Sequence, residues 1–316
     1  MTTGSVAVGV DVSKDMLDVF VLETRAFRRF ANDAGGVGRL IAWLKRLAHA
    51  PTIVLEATGT MGWAAIAALT QAGLAPRVVN PARIKAFRAA EGKHAKTDRL
   101  DAELIARFAS AMSEKARPAP SAKQLEIKSL AARRRQLADM AGDEKKRLKQ
   151  AFDAAAVDSI RHTVALLTGE KKRIEARLVA AIGADAETAR LFDILVSIHG
   201  IGPAIAAGLI ADLPELGQLN RHEIAALAGV APQARQSGRS EARARVKGGR
   251  PHVRTALYLA AFNARRVEGP FKDFYRRQRA AGKPYNVALI AVARKIVVLA
   301  NSLAKEGKPW RPNIEP

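Results

Sequence analysis

Two acids stand where the core of a sheet should be. Asp11 interrupts Ser5-Val6-Ala7-Val8-Gly9-Val10-Asp11-Val12, and Glu56 closes Thr52-Ile53-Val54-Leu55-Glu56. Short β-branched runs of this kind read as strands. An ionised carboxylate among Val, Ile and Leu is costly unless it is paired, protonated or bound to a cation. A third stretch, His94 to Arg107, adds two more acids. Thr97 or Asp98 reads as an N-cap, and Leu100, Leu104, Ile105 and Phe108 recur at helical spacing, so Asp98 and Asp101 lie one turn apart at a helix start. Their Cβ atoms are then about 5–6 Å apart, and a cation between them relieves the repulsion. Taken singly, Asp98 and Asp101 also read as solvated first-turn acids favoured by the helix dipole, and Asp11 as a strand-end turn former. Asp15 and Asp18 read as turn and surface acids.

The order of elements decides whether the acids meet. The run to Val12, then Met16–Leu22 and Ala26–Phe30, predicts an antiparallel meander. A helix from Val37 to Leu47, a strand from Thr52, a helix from Met61 to Gln71 and a strand at Pro76–Asn80 follow. This predicts an α/β domain over residues 1–115, a mixed sheet with flanking helices in the ribonuclease-H topology. There the first and fourth strands are neighbours, which sets Asp11 beside Glu56. Asp11, Glu56, Asp98 and Asp101 then form a carboxylate cluster suited to Mg²⁺, with Mn²⁺ as the substitute. Two such ions about 4 Å apart would serve phosphodiester chemistry.

Pro118 and Pro120 end that domain. Gln124–Ala155 and about Ser159–Ile182 contain no proline, and Leu125, Leu130, Leu137, Leu148 and Phe152 return at roughly helical spacing. Residues 116–190 therefore read as a long helical, coiled-coil-like dimerisation arm with imperfect heptads. Arg133, Arg134, Arg135, Lys145, Lys146 and the 171–173 cluster read either as its solvated face or as phosphate contacts. In the remaining domain, 191–316, mainly α-helical, Leu195 to Ala207 reads as helix, turn, helix. Gly200 and Gly202 would bring backbone N–H groups to a phosphate in a helix-hairpin-helix, or simply pack a core turn. His199 has no partner at ligand spacing.

Between Gln233 and Arg254 stand six arginines and a lysine: Arg235, Arg239, Arg243, Arg245, Lys247, Arg250 and Arg254. They lie in a glycine-punctuated loop or hairpin before a helix that starts near Pro251. Arginine forks grip phosphate there, and glycines allow close approach. From the residues alone, Ser237 is a turn residue beside Gly238. Three more helices follow, the last strongly apolar and read as core. Phe271, Phe274, Tyr275 and Tyr285 suit either core packing or base stacking.

The whole chain of 316 residues carries Lys+Arg 52 against Asp+Glu 30, a formal +22. Such an excess attracts polyanions, with DNA and RNA leading over an anionic membrane surface. With no cysteine there is no disulfide, no thiol nucleophile and no Cys-ligated zinc. No run of 18 or more apolar residues and no signal-like N-terminus are read, so a cytoplasmic protein without a membrane partner, nucleoid-associated when bound, is expected.

Gly9-Val10-Asp11-Val12-Ser13-Lys14, Leu55-Glu56-Ala57-Thr58-Gly59, Val79-Asn80-Pro81 and Lys96-Thr97-Asp98-Arg99-Leu100-Asp101-Ala102 resemble the RuvC-like DEDD domain of the transposases of insertion sequence 110 and its relatives. Gly229-Val230-Ala231-Pro232, Gln236-Ser237-Gly238, Gly249-Arg250 and Val253-Arg254 with Leu257-Tyr258 resemble their C-terminal domain. Glu241–Val246 is richer in arginine than that family's usual Gly-bearing turn. The resemblance implies that Ser237 is the nucleophile and that the arm contacts RNA. It also implies a dimer, or a dimer of dimers (a tetramer), that joins donor and target DNA under a structured noncoding guide RNA, the element's bridge RNA.

The expected function is then a bacterial transposase in which Mg²⁺ polarises the scissile phosphate and Ser237 attacks. Two other readings remain open: a RuvC-like endonuclease or junction resolvase using water, and a nucleic-acid scaffold without chemistry.

Overall fold

In the computed structural model, residues 6–56, 59–92, 97–112, 117–237, 240–246 and 248–311 are described, with the backbone alone at 117–118, 233–237 and 240–245. The chain divides into two compact units, Met1–Leu125 and Glu126–Pro316. In the first, β1 (Val6–Val12), β2 (Met16–Val21) and β3 (Ala26–Ala31) form the expected meander. β4 (Pro51–Glu56) and β5 (Arg77–Val79) add in parallel, giving the order β3-β2-β1-β4-β5-β6 of the ribonuclease-H topology. The last strand, β6 (Arg117–Pro118), is a two-residue addition the sequence did not announce. An edge is where a proline fits a sheet.

Strand alternation sorts the side chains. Val6, Val8, Val10, Val12, Ile53 and Leu55 bury on one face with residues of α1 (Ala34–Leu44) and α2 (Trp63–Gln71). Ala7, Val54 and Phe20 bury on the other, under α3 (Pro81–Ala90) and α4 (Asp98–Met112). Gly9 sets how closely α4 approaches. A Cβ there would lie 2.2 Å from the Ala106 N and 2.3 Å from the Ala102 O, so helix backbone rests on strand backbone.

Two helices begin where capping dictates. α1 starts three residues before the expected Val37, because the Asp33 carboxylate accepts the Gly36 N–H at 2.7 Å. α3 was not foreseen, although Asn80-Pro81 announces it: the Asn80 side chain accepts the Ala82 N–H at 2.8 Å, and proline takes the first helical position.

In the second unit, α5 (Ala122–Leu148) reaches in from the end of the first and α6 (Ala154–Gly183) runs antiparallel to it. Ile127 and Ala131 bury with Leu178 and Ile182, and Leu137 and Ala141 with Leu167. The break lies earlier than expected, since Asp153 caps α6 by accepting from Ala155 N at 3.0 Å and Ala156 N at 3.1 Å. Phe152, counted above as a helical apolar position, is 102 % exposed in the connection.

α7 (Ala186–Val196) and α8 (Pro203–Asp212) flank the Gly-Ile-Gly turn. They share one core with α9 (Arg221–Leu227), α10 (Pro251–Ala264), α11 (Pro270–Ala280) and α12 (Tyr285–Glu306). α12 is long and apolar enough to cross a membrane by length and composition. It carries Arg294 and Lys295 midway, and its Leu289, Val292, Ile296 and Val297 are fully buried, so it serves as the core helix expected of it. The buried Asn301 is satisfied: its side chain accepts the Gly217 N–H at 2.9 Å and donates to the Leu219 carbonyl at 2.8 Å. β7 (Pro232–Ser237) and β8 (Ser240–Val246) form a separate antiparallel hairpin.

Candidate active site

The acids assemble on the α4 face of the sheet. In the parallel register Val10 lies opposite Leu55, so the next residues, Asp11 and Glu56, continue side by side and project from the same face. On the other side of β1, Asp11 pairs with Asp18, and Asp18 in turn with Arg29. Four neighbouring strands thus carry Glu56, Asp11, Asp18 and Arg29 at one level. Asp11 lies two residues beyond Gly9, where α4 touches the sheet, and Asp98 and Asp101 precede Ala102 on that helix. The first turn of α4 therefore stands over the row. The Thr97 hydroxyl, rather than Asp98, caps it by accepting the Leu100 N–H at 3.3 Å.

Crowding of like charge is visible in Asp11. Burial first, then the charges of Asp101 and Asp18, raise its carboxyl above the ordinary aspartate range, with a smaller push from Asp98; the Val12 backbone pulls it down.

Asp18 corrects the sequence reading. It is not a surface acid but 2 % exposed, directly across from Asp11. Its signal was the one used for Asp11, an acid inside the apolar strand Met16-Leu17-Asp18-Val19-Phe20. Arginines complete the site. The Arg29 Nε donates to Asp18 at 2.7 Å and one Nη to Asp98 at 2.6 Å. Arg88, from the unforeseen α3, donates to Asp101 at 2.6 Å.

The donor set around Asp11 is all carboxylate oxygen, which suits a hard divalent cation. As the side chains stand, no three acids or histidines among the described residues are gathered to hold an ion. Asp98 and Asp101 are turned to their arginines.

The proposed nucleic-acid contacts fall into three groups. Lys96, Arg239 and Lys247 lie outside the described residues, and Arg235, Arg243 and Arg245 are described by backbone only, on the hairpin strands. Ser237 is the last residue of β7, paired with Ser240 across the tip, and its side chain likewise is not described.

Other basic residues serve their own unit. Arg134 pairs with Glu175 at 2.7 Å and Arg135 with Asp212 at 2.6 Å. Arg250 grips Glu215 through two bonds of 2.6 and 2.7 Å and donates to the Asp212 carbonyl at 2.7 Å. Burial draws Arg250 and Lys128, beside this network, below their ordinary pKa values. Arg254 donates to the Gly248 carbonyl at 2.9 Å.

Exposed basic residues form the third group: Arg133, Lys145 and Lys146, the last paired with Asp143 at 2.9 Å. Gly200, at φ +93, needs its bare Cα for α10, since a Cβ would lie 2.3 Å from the Ala260 O; Gly202 caps α8 with open space around it. His199 packs edge-on to Trp310 at 4.6 Å. The aromatic group packs on itself, with Tyr275 and Tyr285 edge to face at 6.2 Å and Arg265 over both rings.

Residues 8–156 match the DEDD transposase family model, and 192–276 match that of the transposase IS116/IS110/IS902 family. The chain is 25% identical over 327 aligned positions to a pilin gene-inverting protein of Moraxella bovis, covering 97% of this chain and 98% of that protein. It is 26% identical over 153 positions to an insertion element IS110 protein of Streptomyces coelicolor, covering 48% of this chain and 37% of that one. RuvC of T. thermophilus, solved with a Holliday junction substrate, aligns at 18% identity over 37% of this chain and 100% of its own, with a TM-score of 0.28. With both family patterns present in order, and one relative aligned almost end to end, the chain belongs to the IS110 family of DEDD transposases and is a DNA recombinase.

Proposed function

We propose that the chain cuts and rejoins DNA by transesterification: Asp11, Glu56, Asp98 and Asp101 hold Mg²⁺ against the scissile phosphate, and the Ser237 hydroxyl attacks. The observation that carries this is the row of acids under the α4 N-terminus, in which burial and then its neighbours' charge raise the Asp11 carboxyl. Bound there, the ion would neutralise that charge and polarise the phosphate. As the Ser237 Oγ–P bond forms, the bond to one sugar oxygen breaks; the serine proton passes to a base, and a proton is delivered to the leaving oxygen, which departs as a hydroxyl. The phosphoserine conserves the bond energy, and attack by a second DNA end rejoins the strand.

Residues 1–115 act as the DEDD domain, 116–190 as the arm and 191–316 as the domain that delivers serine. Phe152, Leu166 and Met140, exposed on or beside α5 and α6, support self-association through the arm, as a dimer or a dimer of dimers. The exposed Arg133, Lys145 and Lys146 are the arm residues best placed for a guide RNA's phosphates, and the hairpin arginines are assigned to DNA.

The test is to incubate the protein with its guide RNA and labelled donor and target DNA and to resolve covalent adducts under denaturing conditions. An adduct from wild type that Ser237→Ala lowers by about a thousandfold or more is expected. Cleavage without adduct, undiminished in Ser237→Ala but lost in Asp11→Asn, would instead establish water as the nucleophile.

A further inference from the structure

Arg29 lies outside every motif considered above, yet it bonds two acids at once. Its two bonds differ in kind. Asp18 is its cross-strand partner in register, with a side chain only 4 % exposed, so the half-exposed guanidinium is anchored there on a buried acid. Asp98 is 66 % exposed at the first turn of α4, and its bond to the Arg29 Nη faces solvent. One end of the guanidinium is anchored and the other is exchangeable.

We propose that Arg29, tethered by Asp18, is the built-in counter-cation of the acid cluster: it occupies Asp98 until a divalent ion does, and its released Nη then binds the phosphate of the DNA. The inference rests on the metal reading of the site given above. It follows from the charges on the page. Asp11, Asp18, Asp98 and Asp101 lie close enough for their charges to act on one another, and among the described residues Arg29 and Arg88 bond to members of that group. A divalent ion that takes Asp98 must break a bond to an exposed carboxylate but leaves the Asp18 bond intact. The planar fork suits this role, because two nitrogens of one group serve two acceptors. An ammonium is a point charge and cannot span both.

The experiment measures Mn²⁺ binding to the full chain by electron paramagnetic resonance, without nucleic acid, for wild type, Arg29→Ala, Arg29→Lys and Asp11→Asn. Loss of a competing cation makes Arg29→Ala bind Mn²⁺ roughly two- to fivefold more tightly, the range of an exposed ion pair. Arg29→Lys moves the same way, since it keeps the charge but not the second bond. If Arg29 were only a strut between β3 and α4, its removal would loosen α4 and weaken the ion's binding. Equal or weaker binding by Arg29→Ala, or wild-type binding by Arg29→Lys, overturns the proposal. Should Arg29→Ala not fold, Arg29→Lys decides by itself.

Wild type that binds no Mn²⁺, or binds it independently of Asp11→Asn, overturns the metal reading itself. A second arm measures the affinity for a DNA duplex with and without Mn²⁺. Arg29→Ala is expected to weaken it only with the ion present, and equal loss in both conditions refutes the transfer to phosphate.

Discussion

The acids rest on a six-stranded sheet with helices on both faces, whereas Ser237 ends a strand of a two-stranded ribbon. Three adjacent strands and α4 carry the carboxylates, and Gly9 removes any slack between strand and helix. A lone ribbon has no such support. What secures it is its base, where Arg250 N–H donates to the Leu227 carbonyl at 3.0 Å and the side chain clasps Glu215. Gly229 and Gly249 also meet there, a Cβ on Gly249 falling 2.3 Å from the Gly229 Cα. The difference teaches a division of labour. Groups that gather charge need fixed spacing, which the sheet supplies, while the described contacts of the ribbon lie at its root.

Breaking the rigid side has the largest expected effect. Gly9→Val drives side-chain atoms into α4 backbone and should destabilise the first unit by about 3 kcal/mol, the upper part of the overpacking range. Urea unfolding measures it, and a loss below the scatter of surface substitutions would show that α4 is not seated as described. On the ribbon side, Arg250→Ala removes two charge-assisted hydrogen bonds from the Glu215 carboxylate, at a cost of about 2 kcal/mol. Its thermal transition should fall, with proteolysis between 233 and 246 rising ahead of global unfolding. Uniform protection of that segment would mean that the root does not depend on the clasp.

The smallest effect sharpens the comparison through pH. The Asp11 carboxyl is raised in the folded state, so between the ordinary aspartate value and the raised one the folded chain binds the more protons. Stability without a divalent ion therefore falls as pH rises through that window. Asp11→Asn should flatten this slope and leave the ion-free protein more stable at neutral pH. A variant less stable than wild type there would show that the carboxylate is already compensated.

Much of this was legible in the residues. The strands around Asp11 and Glu56 and the order that makes them neighbours followed from β-branched runs and their spacing. Asp18 departs from its reading as a surface acid because the alternation that places Asp11 on the α4 face holds equally for the next strand. α3 is absent from the sequence reading because Asn80-Pro81 enters it as a motif, whereas in the fold Asn80 is a cap with proline behind it. The basic residues were the least legible. Composition counts Arg134, Arg135 and Arg250 with the rest of the positive excess, but each is bonded to an acid 35 or more positions away in the chain.

By itself, then, the sequence determined the kind of sheet, the acids on it, the attraction to polyanions and the family. Those depend on local pattern and on net charge, which any reading of the chain contains. Which arginine answers which carboxylate was decided only in three dimensions. Arg29 meets Asp98 across 69 positions, and Arg88 meets Asp101 from a neighbouring helix. Ion pairs form between groups that packing brings within about 3 Å, and packing of α4 on Gly9 is a property of the folded backbone that no spacing along the chain encodes.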